Sequence, residues 1–199
     1  MIPNEAEFLG ALRKVIASFE SLGIEYALGG SLASSLHGEA RATRDADLIA
    51  AIVGWHAAAL VTCLGTEFYA DEAQITAAAM NQGSFNLIHL ATMAKVDVYV
   101  VWRTDFGRTQ LARRRPSQIG QSTPLNLFVT SPEDTVLAKL DWYRKGGGIS
   151  DRQWRDVLGV LKVQAGALDR AYLRDWAARL NLTDLFRRAL DDAGLPPEP

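Results

Sequence analysis

Apolar and polar positions alternate along this chain with two different periods, and the change of period divides it into elements. Helical spacing from about Glu5 to Leu22 predicts an amphipathic helix. Ile24, Tyr26 and Leu28 then alternate with Glu25 and Ala27, as a short strand ending at Gly29 would. The segment SLASSLH returns to helical spacing, and LIAAIV at Leu48 to Val53 is apolar enough for a buried strand. Small-residue helices are predicted at about Trp55 to Leu64 and Asp71 to Ala79, and strands at Phe85 to Leu90, Val96 to Trp102 and Leu125 to Thr130. Together these predict an α/β (α+β) layered arrangement around a mixed sheet of about five strands. From Ser131 onward only helices are expected. Ser131-Pro132-Glu133-Asp134 is a helix start with proline at the first helical position, and Gly146-Gly147-Gly148 ends that helix or makes a hinge. Three more helices follow, at about Asp151 to Gln164, Asp169 to Leu180 and Thr183 to Ala193. The expected division is a core over 1–130 and a helical C-terminal part over 131–199.

Candidate chemistry concentrates where the first strand meets the glycines. Gly29 and Gly30 permit positive φ and close approach of another group, and Ser31 is well placed as an N-cap of the next helix. Free N–H groups, the positive end of the helix dipole and the Ser31 hydroxyl make an anion site suited to a phosphate. Neither the eight-residue Walker spacing with its lysine nor the Gly-x-Gly-x-x-Gly of dinucleotide binders is present. Asp45 and Asp47, one residue apart in an extended segment, point to one face of a strand. Their mutual repulsion is relieved by a divalent cation, and hard oxygen donors with room for phosphate oxygens suit Mg2+ better than zinc. A third carboxylate, Asp97, interrupts the apolar run KVDVYVVW. Burying it unpaired would cost several kcal/mol, so it needs a cation, a hydrogen-bond partner or a solvent-facing position at the strand end. If its strand lies beside that of Asp45 and Asp47, the three could hold two metal ions about 3.5–4 Å apart, as in-line nucleotidyl displacement uses. Asp97 would then hold and activate the attacking hydroxyl.

The strings GGSLASSLHG, RATRDADL and KVDVYV resemble the nucleotidyltransferase superfamily that shares the polymerase-beta-like core, over roughly residues 20 to 160. More narrowly, Gly29, Gly30, Ser31, His37, Arg41, Thr43, Asp45, Asp47 and Asp97 resemble the abortive-infection AbiEii-type enzymes, many of which are toxins of type IV toxin-antitoxin pairs. The resemblance implies an enzyme that binds a nucleoside triphosphate at Gly29, Gly30 and Ser31 and Mg2+ at Asp45, Asp47 and Asp97. It also implies nucleotidyl transfer to a hydroxyl, with an RNA end such as that of a tRNA as the leading acceptor and an antitoxin protein as a possible partner. A small-molecule acceptor of aminoglycoside kind, or a protein hydroxyl, is the first alternative. A catalytically inactive protein of the same fold that docks a partner is the second, and three clustered carboxylates weigh against it. The family's later elements, a lysine on a helix and an aspartate in an Asp-Leu-x-Asp-like string, match Lys139 and Asp156 in part, since Gly159 stands where a second acid is expected. Lys139 is a candidate phosphate contact or charge stabiliser, and Arg44 is counted with the nucleotide-binding residues.

Each of these residues has a plainer reading. The glycines suit an ordinary strand-to-helix connection, and Arg41 and Arg44 could simply pair with Asp45 and Asp47. Lys139 and Arg144 flank an apolar helix face and could be solvated. Arg108, Arg113, Arg114 and Arg115 could contact an RNA backbone, but no aromatic residues interleave with them, so a solvated loop is the favoured reading. Tyr99, Trp102, Trp142, Trp154 and Trp176 read as core, and His37 as a packing or capping residue. His56 and His89 stand apart from other ligand types, so no zinc site is expected. With 199 residues, 48% of them hydrophobic, and a net charge of −2, the chain suffices for one core with a smaller appended unit and is not a general nucleic-acid coat. No apolar run approaches a membrane span, and the acidic N-terminus does not resemble a secretory signal. Cys63, the single cysteine, reads as a small core residue and makes a reducing cytoplasm the natural compartment.

Overall fold

The computed structural model describes residues 5–40, 45–120 and 123–196. Arg41, Thr43 and Arg44, three of the motif positions, lie outside the described residues. By internal contacts the chain forms two units, Met1–Leu28 with Thr43–Val129, and Gly29–Ala42 with Thr130–Pro199. The division is therefore not a single cut near residue 130, because the segment after Gly29 groups with the C-terminal helices.

The first unit is a mixed sheet of seven strands in the order β3-β4-β5-β2-β1-β7-β6. These are β1 (Tyr26–Leu28), β2 (Asp45–Ala50), β3 (Phe68–Tyr69), β4 (Ser84–His89), β5 (Ala94–Val100), β6 (Arg115–Ile119) and β7 (Leu125–Val129). β2 runs parallel to β5 with Ala46 opposite Val96, Leu48 opposite Val98 and Ala50 opposite Val100. All six of those side chains are buried, as are Phe85 and Leu87 of the antiparallel neighbour β4. Helices α1 (Glu5–Ser21), α3 (His56–Leu64) and α4 (Glu72–Asn81) pack on one another and on the sheet to cover this face. Leu12, Val15 and Phe19 of α1 and Leu60 of α3 are completely enclosed. Period-two alternation then forces the odd-numbered residues of β2 and β5 onto the opposite face, where none of them is fully buried.

Two strands and one helix of this unit escape the sequence pattern. β3 is only two residues long, and β6, RPSQI, has no apolar alternation of its own but follows the regular β7 antiparallel from Arg115↔Val129 to Ile119↔Leu125. Helix α5 (Asp105–Ala112) is short and polar, and its start is fixed by Thr104, whose hydroxyl accepts from the Gly107 amide at 2.9 Å. β2 also begins earlier than the apolar run suggests, at Asp45 itself, because the whole segment is paired with β5. Cys63, read as core, is exposed on α3.

The second unit is helical: α2 (Gly30–His37), α6 (Pro132–Lys145), α7 (Asp151–Gln164), α8 (Arg170–Arg179) and α9 (Thr183–Asp192). α2 lies against α6 and α7, α6 against α8, and α7 and α8 against α9. Leu137, Leu140, Val157, Val160, Leu161, Leu173 and Ala189 form its enclosed apolar centre. Two acids in the first turn of α6 are also buried, and both are satisfied. Asp134 accepts from the Ser131 hydroxyl at 2.9 Å and the Tyr172 hydroxyl at 2.5 Å, and Glu133 accepts from the Asp169 amide at 3.1 Å. Their negative charges stand at the positive end of the α6 dipole, which offsets part of the desolvation cost. Trp154 and Trp176 are packing anchors as expected, whereas Trp142 is half exposed.

The end of α2 approaches α7 more closely than side chains would allow. A Cβ on Gly38 would lie 2.7 Å from the backbone of Gly159 and of Val160, and one on Gly159 would lie 3.3 Å from the Glu39 amide. The glycine that breaks the acidic string three residues after Asp156 is thus a packing contact. His37 locks the same junction, its Nε2 lying 2.7 Å from the Thr130 carbonyl, while Gln164 donates to the His37 carbonyl at 2.8 Å.

Two stability measurements follow from this packing. Gly38→Ala should destabilise the protein by about 1–3 kcal/mol in chemical denaturation, since backbone must shift to admit the methyl. Gly10→Ala, on the open side of α1 with nothing within 4 Å, should instead stabilise by roughly 0.5–1 kcal/mol. His56 supplies a pH dependence: it is buried, its Nδ1 accepts from the Val53 amide at 3.0 Å, and burial holds its pKa below the ordinary 6.5. A depressed histidine favours the folded state while neutral, so its contribution is complete above about pH 6.5 and is lost as pH falls toward the folded value. Melting curves from pH 7 to 5 should show this loss, and His56→Gln should remove that part of it.

Candidate functional site

The odd-numbered face of β2 and β5 gathers the carboxylates singled out in the sequence. In the parallel register Asp45 lies opposite Lys95 and Asp47 opposite Asp97, so all four side chains project from the same face. Asn86 of β4 pairs with Asp97 from the other side, and Ser84 pairs with Tyr99. The condition set by the sequence, that the strand of Asp97 lie beside that of Asp45 and Asp47, is met.

A lysine completes this face. Lys95 Nζ lies 2.9 Å from Asp97 Oδ2, with the Asp97 side chain 15% exposed and that of Lys95 39%. The hydrogen bond to Asp97 holds the Lys95 ammonium above its ordinary pKa against partial burial, and the charges of Asp97, Asp45 and Asp47 add to the effect. Tyr99, read as core, stands on the same half-open face; burial pushes its hydroxyl up to about 12, and Asp47 and Asp97 push in the same direction. Among the described residues no three histidine, cysteine, aspartate or glutamate side chains are gathered closely enough to hold a metal ion. The three carboxylates share one face of the sheet, and the cation that meets Asp97 there is the Lys95 ammonium.

In the helical unit the glycine turn and Ser31 form a second cluster. Gly29, not Ser31, is the N-cap of α2, and it gives no side-chain hydrogen bond; Gly30 begins the helix at φ 55°, a left-handed conformation that favours glycine. Ser31 falls in the first turn, where its hydroxyl is turned to two cations instead of capping. Arg152 Nη2 lies 3.4 Å and Lys139 Nζ 3.5 Å from Ser31 Oγ, both at the outer limit of hydrogen bonding. Lys139, far from being a solvated flank, is 8% exposed and pairs with Asp156 at 2.8 Å. Asp156 thus fixes a buried ammonium toward the start of α2. An anion at this helix start would meet the helix dipole, the serine hydroxyl, a buried ammonium and an exposed guanidinium.

Sequence reading missed Lys95 and Arg152, although each carried a signal. Lys95 stands two residues before Asp97, which in a strand means the same face, and Arg152 stands four before Asp156, which in a helix means the same stripe. The arginine run resolves in favour of structural roles for two members: Arg108 pairs with Asp105, and Arg114 pairs with Glu25 at 3.2 Å and stacks 4.9 Å over Phe128. His89 Nδ1 bonds the Thr92 hydroxyl at 2.8 Å.

No family model and no curated protein matches the chain by sequence. Solved structures do match it. An antigenic nucleotidyltransferase-like protein from Paracoccidioides brasiliensis superposes with TM-score 0.55 at 18% identity, over 95% of this chain and 92% of that one. The antibiotic-resistance factor ANT(2'')-Ia superposes with TM-score 0.53 at 14% identity, over 93% of this chain and 98% of that one. ANT(2'')-Ia in complex with adenylyl-2''-tobramycin gives TM-score 0.53 at 13% identity, over 87% and 96%. This chain therefore has the nucleotidyltransferase fold, along nearly its whole length. Among its described residues no helix is long and apolar enough to cross a membrane.

Two substitutions separate the roles in the second cluster. Arg152→Ala, at an exposed position, should leave stability in chemical denaturation unchanged within about 0.5 kcal/mol. Asp156→Ala should strand the Lys139 ammonium and cost about 3 kcal/mol, measured by denaturation without ligand.

Proposed function

We propose that this protein is an Mg2+-dependent nucleotidyltransferase that moves a nucleoside monophosphate from a nucleoside triphosphate to a hydroxyl acceptor and releases pyrophosphate. The observation that carries the reading is the register of β2 and β5, which sets Asp45, Asp47 and Asp97 on one half-open face of an otherwise apolar sheet core. The fold likeness supports it, since the structures that share the fold include a nucleotidyltransferase-like protein and one bound to an adenylylated aminoglycoside.

In this reading the Gly29-Gly30 turn, Ser31, Lys139 and Arg152 hold the phosphates that will leave, and their positive charge offsets the charge that builds on pyrophosphate. Arg44 belongs to the same nucleotide-binding set. A divalent ion, if held by Asp45, Asp47 and Asp97, would supply Lewis-acid stabilisation of phosphoryl oxygens. Asp97 accepts the proton of the acceptor hydroxyl at a carboxylate oxygen as the acceptor oxygen bonds to the α-phosphorus. The bond from the α-phosphorus to its bridging oxygen breaks, and the electron pair leaves with pyrophosphate. Asp45 and Asp47 would position the ion.

The AbiEii-type resemblance supports an RNA end, such as that of a tRNA, as the acceptor. With it would come a toxin role, a cognate antitoxin protein as partner and a reaction in the cytoplasm. A small polyhydroxylated acceptor of aminoglycoside kind is the second reading. Engagement of Arg108 and Arg114 with Asp105, Glu25 and Phe128 favours it, because those guanidiniums are committed within the chain.

One experiment separates the acceptors. Purified protein is incubated with each α-labelled nucleoside triphosphate and Mg2+, once with total RNA and once with an aminoglycoside panel. Label in RNA establishes the first acceptor and label in an aminoglycoside the second, and Asp97→Asn should lower either by about a hundredfold or more. Failure to label either, with no Mg2+-dependent stabilisation by any triphosphate, would overturn the proposal.

A further inference from the structure

We propose that Trp142 is a nucleobase platform: the base of a nucleoside triphosphate whose phosphates meet Ser31, Lys139 and Arg152 stacks on the half-exposed indole, one helical turn beyond Lys139 on α6. This rests on the reading of that cluster as the holder of the phosphates, and adds to it the residue that separates a nucleotide from a bare polyphosphate.

The directions of three helices in the helical unit carry it. His37, at the end of α2, lies 2.7 Å from the Thr130 carbonyl just ahead of α6, whereas Lys139, well along α6, reaches Ser31 at the start of α2. α2 and α6 therefore run in opposite directions. Arg152, in the first turn of α7, also meets Ser31, and Gly159, further on, meets Gly38 past the end of α2, so α2 and α7 run in the same direction. The last turn of α6, the link over 146–149 and the first turn of α7 thus extend past the start of α2, where the phosphates would be held. Two large apolar side chains stand open along that stretch, Trp142 half exposed and Ile149 83% exposed. The other tryptophans of the unit are committed to packing: Trp154 lies 5.0 Å from the Tyr143 ring and donates to Asp192 at 3.0 Å, and Trp176 is buried. Trp142 follows Lys139 by three positions, which makes them neighbours on the helix surface, and helical side chains lean toward the N-terminus, so the indole covers the turn that carries Lys139. Lys145, 5.7 Å from the centre of the ring, is an exposed cation tied to Asp141 at 2.7 Å and sits in the last turn, away from Lys139. An indole stacks on any base, because every base has a π face, so this platform selects for a base without selecting which one.

The test compares two ligands by titration calorimetry in one buffer: ATP, and inorganic tripolyphosphate, which has the phosphate chain without sugar or base. Trp142→Ala is expected to weaken ATP about 5- to 100-fold and to leave tripolyphosphate within about twofold of wild type, while Trp142→Tyr, which keeps an aromatic face, recovers most of the loss. Arg152→Ala is expected to weaken both ligands alike. Unchanged ATP affinity in Trp142→Ala, with tripolyphosphate still bound by wild type and weakened by Arg152→Ala, would overturn the platform and leave the phosphate site standing. Equal weakening of ATP and tripolyphosphate by Trp142→Ala would also overturn it, since the loss would not then come from the base. Absence of saturable binding of either ligand to wild type would overturn both the platform and the phosphate reading. If Trp142→Ala melts too low to titrate, Trp142→Leu takes its place with the same outcomes, because leucine keeps apolar bulk and removes the π face.

Discussion

In-register parallel pairing of β2 with β5 is the constraint on which the carboxylate face depends. Side chains alternate along both strands, so a single register decides two things at once: Ala46, Leu48, Ala50, Val96, Val98 and Val100 enter the core, and Asp45, Asp47, Lys95, Asp97 and Tyr99 leave it. A slip of one residue would bury the acids and expose the valines. The apolar face cannot tolerate that, so the free energy of core burial holds the charged face in place. No separate interaction is needed to bring Asp47 beside Asp97; the hydrophobic effect does it from the far side of the sheet.

The helical unit solves a harder problem, because there a charged group is itself buried. Lys139 is enclosed only because Asp156 meets it, and the first turn of α6 buries Glu133 and Asp134 only because Ser131, Tyr172 and the Asp169 amide meet them. These pairs add little net stability relative to apolar residues of the same shape, but they fix direction. The ion pair to Asp156 points the Lys139 ammonium toward the start of α2, 3.5 Å from the Ser31 hydroxyl.

Much of this could be read from the chain because strong periodic signals coincide with strong caps. α6 and α7 begin where Ser131 and Ser150 accept backbone hydrogen bonds, and β5 carries unbroken alternation. What escaped is what depends on a neighbour. β6 has no strand pattern and takes its form from β7; Gly29 takes the N-cap of α2, and the hydroxyl of Ser31 faces cations from α6 and α7. Exposure was misread for the same reason, since neither Cys63 nor Trp142 carries in its own identity the presence or absence of a covering element. Lys95 and Arg152 are legible by strand and helix periodicity, because each shares a face with an acid, Asp97 and Asp156.

The segment after Gly29 has a further implication for how such a protein can be recombined. It follows β1 without a break, yet it groups with residues after Thr130, so the chain crosses the boundary between its two units at Leu28, at Ala42 and at Val129. Half-proteins exchanged at residue 130 would mix an α2 from one parent with an α6 and α7 from another, and the glycine contact at Gly38 and Gly159 leaves no room for a mismatch. The inherited module that must travel intact is discontinuous, and a working chimaera would have to carry 29–42 and the C-terminal helices together.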